Sequence, residues 1–472
     1  MGSPLGVVMV QLIQREIETL REACAGRVVT SHDSDFHVMR TVWNGAVDRH
    51  PAVIVRCSGP EDVSAAVRFA HEEGLELSVR GGGHSFSGAA VTSGGLMLDL
   101  SALRLVEVDP EGRRAVCGGG ATWADVDGAT QAYGLATPGG TISHTGIGGL
   151  TLGGGFGWLT RGHGLTADNL EAAEVVLSTG ERVRASQEDH PDLYWAIRGG
   201  GGNFGVVTSF TYRLHPVGPA VQVAMLFWEA ERGCEAVGLI HDVVANLPDD
   251  FGALIGFGMS APPAPFVPEQ HRFRPGHALI LAGFGAPERH EAVLSRLRAA
   301  LEPLFEFVSP MPYTQLQSML DESAPWGILA YEKALDLPTI TPEAADTLCD
   351  QAALKGSPMS FMPSFHLGGA FSEVSDDATA FGGSRQPHYT ISIAAITPDP
   401  GALSAERDWA RAAWEAMQPY GMGSGTYVNF IADPDEDRVR ASYGPRKYER
   451  LSAIKRTYDP GNLFHLNANI RP

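Results

Sequence analysis

Glycine is concentrated between Ala136 and Gly157, and this density restricts how that part of the backbone can fold. The stretch carries glycine at positions 139, 140, 146, 148, 149, 153, 154, 155 and 157. Each glycine placed in regular structure costs roughly 0.5–1 kcal/mol relative to alanine. The run therefore indicates a backbone that comes close to something flat or anionic. We interpret it as a cofactor-binding segment, with a purely structural loop as the alternative.

A second glycine-rich loop, Val79–Gly88, follows a predicted strand and contains one histidine, His84. Glycines lack Cβ, so they let consecutive backbone N–H groups point at a phosphate, while the imidazole stays available as a nucleophile. A tight turn whose histidine caps a neighbour explains this loop equally well when the loop is taken alone.

A third segment has the spacing GxGxxG at Gly200, Gly202 and Gly205. A dinucleotide-binding loop follows a strand and opens a helix. Here residues 191–197 have a helical pattern and residues 206–210 a strand pattern, which is the reverse order. The spacing therefore does not indicate NAD binding.

Composition excludes several classes of protein. A chain of 472 residues exceeds the usual size of one core, so we expect two domains. The net charge of −20 opposes nucleic acid binding, and no apolar run is long enough to span a membrane. Five scattered cysteines give neither a disulfide framework nor a metal site. The N-terminus lacks a signal-peptide pattern and has apolar residues at helical spacing, so we expect a cytoplasmic protein; the apolar residues are Leu12, Ile13, Ile17 and Leu20.

Periodicity and turn signals predict an α+β chain in which a new unit begins near residue 216. Helices are predicted at 58–74, 122–134, 191–197, 288–304 and 403–417. Strands are predicted at 75–79, 96–100, 104–108, 174–178, 181–185, 204–214, 221–228, 277–283, 389–397 and 426–431. Five prolines between 261 and 276 indicate an irregular surface loop or a lid.

Four separated motifs resemble, in the same order, those of the berberine-bridge-enzyme-like FAD-linked oxidases. They are the His84 loop, the glycine stretch that ends at Gly157, the GNFGVVT segment at 202–208, and the closing module with Asn467 and Asn469. The resemblance covers roughly residues 45–215 and 420–472, whereas the middle third is generic. It implies a two-domain PCMH-type (vanillyl-alcohol-oxidase-type) FAD fold. We expect an FAD-binding domain at 1–215, an inserted substrate domain at 216–420, built on a β-sheet with helices, and a returning segment at 421–472.

The resemblance also assigns residues to the cofactor. In the family the loop histidine is bonded to the 8α carbon of the flavin, and here that residue is His84. Doubly linked members have a cysteine where this chain has Ile142, so a single link is expected, as in certain bacterial members. The other FAD contacts implied are Arg80, Gly81, Gly82, Gly83, Ser85, Gly88, Ile142, Ser143, Thr145, Gly148, Gly149, Gly153, Gly154, Gly155, Gly157, Asp168, Asn169, Gly205, Val207, Asn429, Asn467 and Asn469.

The implied reaction transfers a hydride from a small, secondary-metabolite substrate to flavin N5, with O2 as acceptor and H2O2 as product. Tyr427 is the first candidate for the base, and His144 and His366 are further candidates. Thr145 matches the position that controls oxygen access, and its valine-like shape favours access. Two alternatives remain, an oxygenase or oxidative cyclase of natural-product, antibiotic-type biosynthesis and a non-catalytic flavin-binding protein.

Overall fold

The computed structural model describes residues 16–423, 425–433 and 435–472 of the chain. Residues 16–23 form helix α1, on which Ile17 and Leu20 are buried, as their spacing predicts. Leu12 and Ile13, which belong to the same prediction, lie outside the described residues. No described helix combines the length and the apolar character that a bilayer crossing requires.

The strands of the first half build two main sheets and a short ribbon. The four-stranded sheet has the order β1-β2-β4-β3, the five-stranded sheet has the order β5-β6-β10-β8-β9, and β7 pairs with β11; the strands are β1 (Arg27–Thr30), β2 (Val53–Arg56), β3 (Leu77–Arg80), β4 (Leu96–Asp99), β5 (Val106–Asp109), β6 (Arg114–Gly118), β7 (Leu135–Ala136), β8 (Leu170–Val176), β9 (Arg182–Ser186), β10 (Val206–Arg213) and β11 (His215–Pro216). β2, β4 and β3 run parallel, so their carboxyl ends share one edge. The loop that contains His84 leaves β3 at this edge.

The second half contributes one antiparallel sheet of seven strands, in the order β15-β12-β14-β13-β17-β18-β16. The strands are β12 (Ala220–Glu229), β13 (Phe251–Phe257), β14 (Gly276–Gly283), β15 (Phe305–Pro312), β16 (Leu329–Leu337), β17 (Met362–Leu367) and β18 (His388–Thr397). Helices cover one face of this seven-stranded sheet. The opposite face packs against residues of the first half and of the C-terminal segment, among them Phe156, Trp158 and Tyr427. A site can therefore form between this face and the first half.

The remaining helices, in chain order, are α2 (Phe36–Met39), α3 (Pro60–Glu72), α4 (Trp123–Gln131), α5 (Ile147–Gly153), α6 (Thr160–His163), α7 (Pro191–Ala196), α8 (Gly233–Val244), α9 (Pro287–Ala300), α10 (Tyr313–Ser318), α11 (Pro342–Ala353), α12 (Ala370–Glu373), α13 (Leu403–Met417) and α14 (Glu436–Tyr458), which is interrupted at Gly444. Local sequence explains their ends. α4 starts in a capping box, where Asp125 accepts hydrogen bonds from the N–H and the hydroxyl of Thr122. α3 begins with proline in its first turn and ends before Gly74, which has a φ of 63°.

The predicted α+β class is confirmed, but two local predictions differ from the structure. Residues 426–431 do not form a strand; they contain the 3₁₀ turn Val428–Phe430, and the side chains of Tyr427 and Asn429 bond to the backbone of the glycine stretch. The proline-rich loop 261–276 packs beside β15, where Phe266 meets Phe307. It does not cover the cavity described below, so the structure does not support a lid.

The C-terminal segment packs into the core of the first half. Val439, Tyr448 and Leu451 of α14 lie in one apolar cluster with strands β6, β8 and β10. This arrangement supports the predicted division at 215/216 and 420/421, which we keep as a proposal. A fully buried ion pair at the end of α14 adds to the connection: Lys455 Nζ lies 2.6 Å from Asp459 Oδ2 and donates to the carbonyls of Asn203 and Phe464.

We expect Lys455→Met to lower the free energy of unfolding by about 3–5 kcal/mol, because it leaves a buried carboxylate without its counter-charge. Urea unfolding followed by fluorescence would measure this. The matched control is Arg446→Met, which removes an exposed ion pair with Asp377 and should change stability by about 0–1 kcal/mol. Equal effects of the two substitutions would contradict the prediction.

Candidate active site

A cavity of about 450 Å³ lies between the first half, the C-terminal segment and the seven-stranded sheet. A volume of this size is in the range of small-molecule and cofactor sites. Fourteen of the residues predicted from sequence line it: Gly81, Gly82, Gly83, His84, Ser85, Ile142, Thr145, Gly148, Gly149, Gly205, Val207, Tyr427, Asn429 and Asn467. The fold thus brings together motifs that are far apart in the chain.

His84 is held by rings on several sides. Its imidazole stacks on Trp43, with ring centroids 5.2 Å apart, and Trp326 meets it edge-on. Nε2 of His84 lies 2.7 Å from Nδ1 of His144, so one proton is shared between them, while Nδ1 of His84 has only a long contact of 3.5 Å to the Thr145 hydroxyl. Burial, together with the neighbouring His144, lowers the pKa of His84 to about 3. The ring is therefore neutral, and Nδ1 is its free nucleophilic atom.

The backbone of the His84 loop has unused donors. The N–H groups of Gly82, Gly83, His84 and Ser85 donate to no group in the part of the chain that the structure describes. Gly83 has a φ of 72°, which turns successive N–H groups towards one side. Consecutive free amides of this kind form an anion-binding concavity. No lysine or arginine is among the described residues that line the cavity, so a phosphate there would depend on the backbone.

Two glycines are required because the loops touch each other. A Cβ on Gly82 would overlap the backbone of Gly146, and a Cβ on Gly146 would overlap Gly82. By contrast, a Cβ on Gly149 would meet nothing within 4 Å, and Gly149 lines the cavity. The glycine stretch therefore serves both protein packing and an open wall of the site.

The C-terminal module closes the far end of the cavity. Asn203 of the GNFGVVT segment donates to the carbonyl of Ala468 and accepts from the N–H of Ile470. This fixes the segment in which Asn467 and Asn469 each keep a buried side-chain oxygen without a hydrogen-bond partner. Asn467 lines the cavity, so its unpartnered oxygen fits a ligand with hydrogen-bond donors, whereas Asn469 is not among the described residues that line it.

Tyr427 lines the cavity with its ring, but its hydroxyl points away to the glycine stretch. The oxygen accepts hydrogen bonds from the N–H of Gly155, at 3.0 Å, and from the amide of Asn429, at 2.7 Å. Burial and the nearby Glu332 raise the pKa of Tyr427 well above its usual value. A phenol that stays protonated and faces the backbone is a poor proton acceptor. We therefore do not retain Tyr427 as the base.

Sequence reasoning missed Glu332, the one carboxyl group among the described residues that line the cavity. It lies on β16, is 2% exposed, and accepts a hydrogen bond from the Ser392 hydroxyl at Oε1. Its Oε2 has no partner. Burial raises the pKa of Glu332 to about 8. The only sequence signal was an acidic residue within the mostly apolar strand Leu329–Leu337, and only the sheet register shows which face it occupies.

His366 and His144, the other candidates for the base, do not line the cavity. Alternation along β17 directs Phe365 to the cavity and His366 to the opposite side, where Arg161 Nη1 lies 3.2 Å from its Nδ1. We therefore do not retain His366. His144 is retained only as the partner of His84.

Several predicted FAD contacts have other partners in the structure. Arg80 donates to the carbonyl of Met39, and Gly88 packs against Val47. Ser143 donates from its N–H and from its hydroxyl to the carboxylate of Asp321, which ties the glycine stretch to the second half. These contacts shape the cavity from outside it.

The end of the glycine stretch also faces protein. A Cβ on each of its four glycines would overlap protein atoms, which are those of Asn429 for Gly153, Phe381 for Gly154, Leu150 and Thr166 for Gly155, and Gly139 for Gly157. These glycines are therefore required for close packing within the protein, and their contact with a cofactor stays a prediction.

Asp168 and Asn169 are likewise structural. Asp168 forms a buried two-pronged ion pair with Arg385, with distances of 2.8 and 2.9 Å. Asn169 bonds to two backbone carbonyls and to His215. Neither lines the cavity, so neither is retained as a flavin contact.

The cavity fits FAD in three respects: free loop amides for its phosphates, the unpartnered oxygen of Asn467 at the C-terminal end, and a neutral histidine at the wall. The lining residues within the described ranges include Ile142 and no cysteine.

Two family models match the chain. The model described as "FAD binding domain" matches residues 51–186, and the model described as "Berberine and berberine like" matches residues 426–471. YvdP of Bacillus subtilis, described as an uncharacterized FAD-linked oxidoreductase, is 30% identical over 483 residues, which span 95% of this chain and 98% of the relative. (R)-6-hydroxynicotine oxidase of Paenarthrobacter nicotinovorans is 29% identical over 457 residues, spanning 95% and 97%.

A solved structure gives the same result for the fold. The crystal structure of 6-hydroxy-D-nicotine oxidase from Arthrobacter nicotinovorans superposes with a TM-score of 0.85 at 26% identity, covering 95% of this chain and 98% of that one. The similarity includes both halves and the returning C-terminal segment.

Proposed function

Because the chain belongs to the berberine-bridge-enzyme-like family of FAD-linked oxidoreductases, we propose that it is an oxidase whose FAD is held by a single covalent bond to His84. The substrate is a small molecule, O2 is the acceptor and H2O2 is the product. The observation that carries the proposal is the neutral His84 imidazole, which faces the cavity beside four free backbone amides.

When bound, FAD supplies a two-electron acceptor that takes a hydride from a substrate carbon. The other tasks belong to residues of this chain. Glu332 is positioned to take the proton that leaves the substrate's hydroxyl or amine, because its Oε2 is free and its Oε1 is fixed by Ser392. The rings of Phe156, Phe365 and Tyr427 exclude water from this part of the cavity.

The flavin contacts that we retain are the predicted ones that line the cavity, namely residues 81–85, Ile142, Thr145, Gly148, Gly149, Gly205, Val207, Asn429 and Asn467. Thr145 lies beside His84 and lines the cavity with a small side chain, which supports access of O2 to the ring. We propose a single covalent link to the flavin because Ile142 stands where doubly linked members of the family have a cysteine.

Acid precipitation of the purified protein tests the proposal. We expect the yellow colour to stay with the denatured protein, and we expect one H2O2 for each O2 consumed when a substrate turns over. Flavin that remains wholly in the supernatant would contradict the covalent link. An oxygenase would instead place an oxygen atom from O2 in its product and release less H2O2 than the O2 it consumes.

His144 is expected to assist formation of the link. It engages Nε2 of His84, which leaves Nδ1 to bond the flavin and gives the Nε2 proton an acceptor. In His144→Ala, attachment of added FAD to flavin-free protein should slow by roughly 10²-fold, a typical contribution of a positioned proton acceptor. The covalent fraction is followed over time after denaturation. His465→Ala, a cavity histidine at the other end, is the control and should attach flavin at the rate of the unmodified protein.

A further inference from the structure

The wall that the seven-stranded sheet contributes to the cavity is almost wholly apolar. Leu254, Phe361, Phe365, Ala394 and Ile396 present hydrocarbon there. From the opposite side, Phe156, Tyr427 and Phe430 form a cluster of rings with centroids 4.7–5.6 Å apart. A molecule in this part of the cavity lies between aromatic and aliphatic surfaces.

The few polar atoms of this wall are already used, with one exception. The hydroxyl of Ser392 is bonded to Glu332, and the hydroxyl of Ser323 donates to the carbonyl of Leu320 at 2.6 Å. The side-chain nitrogen of Asn429 donates to Tyr427 and to the carbonyl of Gly149. Among the side chains that the seven-stranded sheet itself contributes to the cavity within the described residues, Oε2 of Glu332 is therefore the polar atom without a hydrogen-bond partner.

This arrangement discriminates between classes of substrate. A carbohydrate carries several hydroxyl groups, and each one buried without a partner weakens binding by roughly tenfold. A flat apolar molecule buries no unpartnered hydroxyl groups, and its contact with the aromatic rings favours binding. One N–H or O–H on such a molecule is enough to satisfy Glu332.

We infer that the substrate of this oxidase is a flat, largely apolar aromatic molecule with a single hydrogen-bond-donating hydroxyl or amine, which Glu332 Oε2 accepts. The inference rests on the proposed function, since it concerns the same cavity. It names the class of molecule that the cavity selects and identifies Glu332 as the residue that accepts the hydrogen bond from the substrate's hydroxyl or amine.

The test uses the flavin-loaded protein and follows perturbation of the visible flavin absorption. Para-cresol and benzylamine are the aromatic probes, and cellobiose is the carbohydrate probe. Each probe is titrated anaerobically at matched concentrations. We expect saturable binding of at least one aromatic probe and no response to cellobiose. In Glu332→Leu, affinity for the aromatic probe should fall roughly tenfold or more. If that variant fails to fold, Glu332→Gln gives the same readout with the side-chain volume kept.

Glu406→Gln is the matched control, because Glu406 is buried in the same half but bonds Ser357 and Ser360 away from the cavity. It should bind the aromatic probe like the unmodified protein. Binding or flavin bleaching by cellobiose, no response to either aromatic probe, or unchanged affinity in both Glu332 variants would overturn the inference. Flavin retention after acid precipitation is measured on the same preparation, so failure of the proposed function is seen separately.

Discussion

Replacing Glu332 by glutamine is expected to lower the rate of flavin reduction by about 10²–10⁴-fold while flavin content stays unchanged. The substitution keeps the shape of the side chain and an oxygen that can accept from Ser392, but the amide cannot take a proton. Stopped-flow measurement of anaerobic flavin bleaching isolates this step. Glu406→Gln should change it less than twofold, which controls for the loss of a buried carboxylate in general. A Glu332→Gln variant that reduces its flavin within a few-fold of the normal rate would show that another group takes the proton.

The pH dependence gives an independent check on Glu332. The pKa of this carboxyl is raised to about 8 by burial, and a base acts only when it is deprotonated. The rate constant kcat/KM should therefore rise with pH and level off above about pH 8. Glu332→Gln should lack this limb and show a flat profile over the same range. A limb at pH 8 that persists in the variant would assign it to another group.

In the unmodified protein nearly all of the bound flavin should be covalently attached. Replacing His84 by alanine is expected to reduce this fraction to zero. The described residues that line the cavity include no cysteine that could form a second link. FAD should still bind reversibly, because the free amides of the loop belong to the backbone and remain. Acid precipitation should then leave the colour in the supernatant, and gel filtration before denaturation should still give a yellow protein.

Two outcomes separate the explanations for His84. His465→Ala removes another histidine of the cavity and should keep its flavin in the precipitate. Covalent flavin in His84→Ala would contradict a single link at this position. A colourless His84→Ala protein would mean that the imidazole is needed for binding itself and not only for attachment.

The sequence was sufficient for residues whose role depends on local backbone. Glycine spacing marked the loop at 81–83, and the histidine in the same loop is where the pattern predicts it, at the wall of the cavity. Helix ends such as those of α3 and α4 follow from proline, glycine and a capping box, which act within one turn. Tyr427 and Asn429 line the same cavity, although they do not form the predicted strand.

The sequence was insufficient where the role of a residue depends on which distant residues pack against it. The glycines at 153–157 were predicted to contact the cofactor, and only the structure shows that they pack against Asn429, Phe381 and Thr166, which come from elsewhere in the chain. His366 and Phe365 are adjacent in sequence, yet a strand sends neighbouring side chains to opposite faces, and only the packing of β17 decides which face meets the cavity.

The sequence by itself determined the family and the α+β architecture and predicted His84 as the attachment residue, because these depend on short motifs whose spacing fixes backbone geometry. The tertiary structure alone decided that Glu332 is the acidic group of the site, that Tyr427 turns its hydroxyl away, and that His144 pairs with His84. Those roles arise from contacts between distant segments and from burial. Burial raises the pKa of a carboxyl that would be an ordinary acid on the surface.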